Sequence, residues 1–127
     1  MQEIYFRPHS PDSSTHNTAL EAWNAKVIEG AKVLGKDWWC TPNYKAWFEE
    51  AGFVDVVEKV FAWPGNEWVK GEKGKEMGRT MLANGLEGLS AVSMAVLTRV
   101  FGMGVEEVEE SLGDVRRDMA DGEFDCF

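Results

Sequence analysis

The sequence predicts a mainly α fold with a minor β contribution: a group of helices carrying one or two short strands. Three observations carry this expectation. Leu20, Trp23, Val27, Ala31 and Leu34 recur at helical spacing. A long segment, Lys73–Phe101, sustains an apolar side through Leu82, Leu86, Leu89, Val96, Val100 and Phe101. Val105, Val108, Leu112, Val115 and Met119 then share one face, with Glu and Arg opposite.

Taken in order, Met1–Phe6 is short and mixed, suited to ending a strand. Pro8–Asn17 is a loop rich in Ser, Thr, Pro and Asp. The first helix follows, with Asn17 or Thr18 as its cap and Gly35 as its stop. Asp37–Pro42 is a connector bearing Trp38, Trp39 and Cys40, and Thr41-Pro42-Asn43 opens a short helix over Tyr44–Ala51 that Gly52 ends. Phe53–Trp63, rich in Val and Phe and halted by Pro64-Gly65-Asn66, is the convincing strand. The long helix stops at Gly102, the last helix covers Val105–Met119, and Phe124–Phe127 is an apolar tail. No repeat or linker divides the 127 residues, which read as a single domain over 1–127.

The net charge of -9 repels phosphate backbones and anionic lipid heads, which argues against nucleic-acid and membrane partners. Lys70, Lys73, Lys75 and Arg79 are better explained as a solvated helix start than as a phosphate site. Cys40 and Cys126 form no CxxC arrangement, Met1–Ser10 is not a signal peptide, and the apolar run Leu89–Leu97 is too short to span a bilayer. These features point to a reduced, cytoplasmic, soluble protein.

The segment Trp47-Phe48-Glu49-Glu50-Ala51-Gly52-Phe53-Val54-Asp55-Val56 and its continuation Glu58–Pro64 resemble the late part of the LaeA-like fungal methyltransferases, where a class I methyltransferase enters a late strand of its sheet. Leu86–Leu89, Leu97–Gly102, Glu106–Glu109 and Val115–Met119 follow that family's C-terminal helices in order. Leu20–Trp23 and Ala31–Gly35 are similar to its preceding cap helix, so the resemblance covers roughly Gln2 to Asp118. It implies the helical cap of a truncated class I methyltransferase, tied to fungal secondary metabolism. No glycine-rich turn follows a strand here. Gly71–Gly74 opens a helix and Gly85–Gly88 lies within one, so no S-adenosylmethionine cradle, and hence no cofactor, is expected. Without the family's sheet, the strand edges and cap helices need a cover: a second copy pairing strands in a homodimer, or a methyltransferase-like partner chain.

The candidate substrate-binding residues fall in two groups. Trp38, Trp39, Tyr44 and Trp47 surround a helix–loop junction and suit either core packing or the wall of a hydrophobic pocket. Trp38 and Trp39 are adjacent and cannot both face the same way. Met77, Met81, Asn84 and Met94 lie along the long helix with Glu87, Ala91 and Thr98, interrupted by Gly78, Gly85 and Gly88. Such small residues either admit a close neighbour or leave space for a ligand, and the resemblance places this side toward a substrate cavity. For acid–base catalysis the candidates are Glu87, His16 and Asp12, the last two forming the best local pair, although a solvated loop histidine is the simpler explanation of His16. His9, Asp12 and His16 are too weak a signal to assign a metal. Cys40 lacks a neighbouring base in sequence.

Three functions compete. A small enzyme independent of S-adenosylmethionine could fold a hydrophobic intermediate for cyclase- or isomerase-type chemistry, with orientation supplying much of the rate. A non-catalytic methyltransferase-like subunit could complete or regulate a larger enzyme. The chain could also be a segment of a longer methyltransferase.

Overall fold

In the computed structural model, residues 1–121 are described, and the apolar tail Phe124–Phe127 with Cys126 lies outside them. Among these residues, four α-helices and one 3-10 turn follow the order α1 (Ala19–Val33), the turn Thr41–Asn43, α2 (Tyr44–Glu50), α3 (Glu72–Phe101) and α4 (Val105–Ala120). The mainly α expectation holds, and no strand forms among the described residues.

Local chemistry accounts for the helix ends. The Thr18 hydroxyl accepts from the Glu21 N–H at 3.2 Å, and the Glu21 carboxylate accepts from the Asn17 N–H at 2.8 Å, so the first turn of α1 is capped from both directions. Gly35 takes φ 74° and closes α1, while the Lys36 N–H reaches back to the Ala31 carbonyl at 2.9 Å. Gly102, at φ 69°, closes α3 in the same manner, and the Met103 N–H bonds the Leu97 carbonyl at 3.2 Å. Glu107 accepts from the Gly104 N–H at 3.2 Å and restarts the chain as α4.

α1, α3 and α4 pack on one another, and α2 rests on the preceding 3-10 turn instead. The core is the set of faces the spacing marks out: Leu20 and Val27 from α1, Leu89, Val96 and Leu97 from α3, Val108, Leu112 and Val115 from α4. Three polar links fix the register of these helices. Ser93, fully buried, accepts from the Trp23 indole N–H at 2.8 Å and donates to the Leu89 carbonyl at 2.6 Å, so neither polar group is stranded. Asp118, near the end of α4, accepts from the Leu20 N–H at 2.9 Å and places a carboxylate at the positive end of α1. Ser90 on α3 donates to Glu109 on α4, which also pairs with Arg116 at 2.9 Å. The two contacts, that with Ser90 first, hold the Glu109 carboxyl below its ordinary value. By length and hydropathy α3 also meets the requirement for crossing a bilayer, beyond what the run Leu89–Leu97 suggests. Here it packs against α1 and α4.

The strand expected at Phe53–Trp63 does not form. After the Gly52 turn the chain runs irregular and outward, with a left-handed kink at Asp55 (φ 56°). Val54 is 86% exposed, and Val57, Val60 and Phe61 are nearly as open. No hydrogen bond among the described residues engages the backbone of residues 54–63. Valine and phenylalanine favour an extended backbone, but a ladder needs a second strand at 4.7–4.9 Å, and these residues supply none. Order returns at Asn66, which is buried. Its side-chain amide donates to the Asp121 carbonyl at 2.9 Å and its oxygen accepts from the Trp68 N–H at 3.0 Å.

Candidate functional site

The N-terminal segment lies across the aromatic connector between α1 and α2. The Trp39 indole N–H donates to the Phe6 carbonyl at 3.0 Å, and the Thr41 hydroxyl donates to the Ile4 carbonyl at 3.3 Å. Phe6 meets Trp38 edge to face, with ring centres 5.5 Å apart, and also Trp23 at 6.1 Å. The outcome is an open groove of about 350 Å³ over Ile4, Phe6, Trp38, Tyr44 and Val92, with Glu3, Asp37, Cys40 and Thr41 also lining it.

Of the four aromatic residues proposed for a pocket, the groove brings together Trp38 and Tyr44. Trp38 and Trp39 face apart, as adjacent positions require. Trp38 packs on the core, whereas the Trp39 ring is flanked by the chain's own cations, Arg7 at 5.4 Å and Lys32 at 5.5 Å from its centroid. Trp47 is half exposed and stacks obliquely on Tyr44 outside the groove. Cys40 has a partner four positions on: its sulfur lies 3.6 Å from the Tyr44 hydroxyl. That contact first, then partial burial and the nearby charges of Cys40 and Glu3, raise the Tyr44 pKa above that of an ordinary phenol. Tyr44 is therefore a protonated hydrogen-bonding group at neutral pH and not a base.

The long-helix set does not line this groove. Asn84, Glu87 and Ala91 face solvent, Met77 and Met81 are half-buried, and Met94 packs on the core. Thr98 turns its hydroxyl onto the Met94 carbonyl at 2.7 Å. The glycines that suggested a cavity serve close approach at two places: a side chain at Gly78 would meet the Asn66 backbone, and one at Gly85 would meet Met119. Val92, one position beyond Ala91, is what α3 contributes to the groove.

The catalytic candidates are also apart. Asp12 accepts from the Ser10 hydroxyl at 2.7 Å and the Ser14 N–H at 2.9 Å, which lowers its pKa to about 2. His16 pairs with Glu21 at 3.3 Å, not with Asp12. His16 and Glu21 border a second open hollow of about 460 Å³ with Tyr5, Arg7 and His9, and neither Asp12 nor Glu87 belongs to it. The local Asp12–His16 pair thus fails because short serine bonds satisfy the carboxylate within its own turn. Among the described residues, no three His, Cys, Asp or Glu side chains gather as a metal site.

Glu3, Ile4, Phe6, Asp37, Cys40, Thr41 and Val92 line the groove without having been marked by the sequence as pocket residues. The apolar alternation of Ile4 and Phe6 was a faint signal, but nothing local says which surface it covers.

A helical body with an aromatic groove, and none of a methyltransferase's sheet among the described residues, defines a helical, methyltransferase-related segment once its relatives are considered. The chain is 32% identical over 121 residues to the probable methyltransferase tdiE of Emericella nidulans, a match covering 94% of this chain and 38% of that protein. It is 36% identical over 92 residues to the methyltransferase pytC of Aspergillus terreus, covering 69% of this chain and 28% of that one. The secondary metabolism regulator laeA of Monascus pilosus is 27% identical over 115 residues, covering 90% of this chain and 31% of the relative. No family model and no solved structure matches the chain. The chain is homologous to part of the LaeA-like methyltransferases of fungal secondary metabolism and spans 38% or less of the length of these relatives.

Proposed function

We propose that the chain is the ligand-side helical part of a methyltransferase-like protein of fungal secondary metabolism, and that it holds a hydrophobic small molecule in the Trp38–Tyr44 groove. The observation that carries this is the groove itself: rings from three separate stretches (Phe6, Trp38, Tyr44) meet the Val92 side chain of α3 around one open space. Methyl transfer from S-adenosylmethionine is not assigned to this chain. Cyclase- or isomerase-type chemistry here would rest on orientation against the groove's rings and on the protonated Tyr44 hydroxyl, because Glu87, His16 and Asp12 lie elsewhere. Calorimetric titration with a neutral planar probe, 1-naphthylmethanol, tests the groove. Saturable one-to-one binding is expected. Tyr44→Ala should weaken it about fivefold, the worth of one aromatic contact, with helical circular dichroism unchanged because α2 sits off the bundle. No saturation, or equal affinity in the variant, rejects the groove.

The open segment at residues 54–63 favours a second reading, a non-catalytic subunit whose strand is completed by a second copy or by a methyltransferase-like chain. Its unpaired backbone and exposed valines supply the motive. Hydrogen exchange at the Val54–Trp63 amides should then slow at least tenfold, either as the chain's own concentration rises or on adding the pytC methyltransferase. Unprotected amides under both conditions, with a monomer in sedimentation, remove this reading.

A further inference from the structure

The two tryptophans of the connector differ in their charged surroundings. Trp39 is flanked by Arg7 and Lys32, so the chain itself supplies cations to that ring. On the Trp38 side the groove is lined by two carboxylate residues, Glu3 and Asp37, and by no lysine, arginine or histidine. Each carboxylate has one oxygen engaged locally. Glu3 accepts from the Ile4 N–H at 3.0 Å, and Asp37 from the Trp39 N–H at 2.9 Å. These bonds fix the carboxylates beside the rings and leave each a second oxygen. The Glu3 charge also contributes to the raised pKa of Tyr44, which puts it within electrostatic reach of that ring. Aromatic faces and carboxylates attract the same kind of ligand head, a cation on an apolar body.

We infer that the groove selects hydrophobic aromatic molecules bearing a protonated amine, with Phe6, Trp38, Tyr44 and Val92 taking the ring system and Glu3 and Asp37 the ammonium. This rests on the groove binding a hydrophobic molecule at all, and adds the charge class of that molecule. An aromatic carboxylate of the same size is the disfavoured counterpart, since it meets two like charges and no compensating cation.

Three near-isosteric probes separate the possibilities: 1-naphthylmethylamine, which is cationic at pH 7, neutral 1-naphthylmethanol, and 1-naphthoate. Calorimetry at low ionic strength should rank them in that order, with about a tenfold affinity ratio between the amine and the carboxylate, shrinking as salt is added. Glu3→Gln with Asp37→Asn keeps both local hydrogen-bond acceptors and should reduce the ratio to threefold or less. The overall charge of -9 attracts cations everywhere, so Glu106→Gln with Glu110→Gln on exposed α4 positions is the matched control. It removes the same charge and should leave the ratio intact. A wild-type ratio near one, an unchanged ratio in the Glu3/Asp37 variant, or an equal fall in the control overturns the charge selection. If the alcohol binds while the charge ratio is one, the groove survives and only this inference fails. If none of the three binds, both fail.

Discussion

Leu112→Ala is expected to lower the unfolding free energy by about 3 kcal/mol, in the middle of the range for emptying a closed aliphatic site. Leu112 has no solvent exposure and belongs to the set joining all three packed helices. Removing its three terminal carbons loses their transfer energy and leaves a void that neighbouring valines are too short to fill. For a chain of this size the loss corresponds to a fall of about 10 °C in melting temperature. Val57→Ala is the informative comparison. It removes two carbons, against three at Leu112, from a position that is 76% exposed, so its effect should stay within about 0.5 kcal/mol. Urea unfolding of both variants tests the pair. A Leu112 loss below about 1 kcal/mol means the core is looser than this packing. A Val57 loss as large as that of Leu112 means residues 54–63 are covered in solution.

That comparison also explains which features could be read from the chain alone. Helices are closed by neighbours. Thr18, Gly35 and Gly102 act within five residues of themselves, and the apolar spacing of α4 states its buried face directly. The strand failed on different grounds. Residues 53–63 carry the composition of a strand, but composition sets only the backbone preference, and the ladder is a property of two segments. The groove shows the same division. Trp38 and Tyr44 announce a ring-rich junction, whereas Phe6 reaches it from more than thirty positions away and Val92 from more than forty. Spacing suggests an Asp12–His16 pair, but the loop has no regular repeat to bring them together, and Ser10 and Ser14 bind the carboxylate instead. Asn24 stands apart: it is buried in α1 with its amide nitrogen unsatisfied, and we have no physical account of it.

The glycines of α3 allow a sharper trial, because the same substitution on one helix should change sign. Alanine in place of a solvent-accessible helical glycine ordinarily gains up to about 1 kcal/mol through helix propensity. Gly88 has no atom within 4 Å of the added carbon, so Gly88→Ala should stabilise the chain by roughly that amount. At Gly78 the added carbon would overlap the Asn66 carbonyl, a backbone group with no rotamer to escape into. Asn66 is itself pinned, since its amide holds the Asp121 carbonyl and its oxygen holds the Trp68 N–H. Making room therefore displaces the whole turn at residues 64–68 and frees buried polar groups. Gly78→Ala should cost about 2 kcal/mol after its propensity gain is counted. Paired thermal and urea unfolding of the two variants reads the difference directly. Stabilisation by both changes would show that the turn does not rest on α3. Destabilisation by both would show that the Gly88 side is covered by something the isolated chain lacks, and a second copy or a bound ligand is then sought there first.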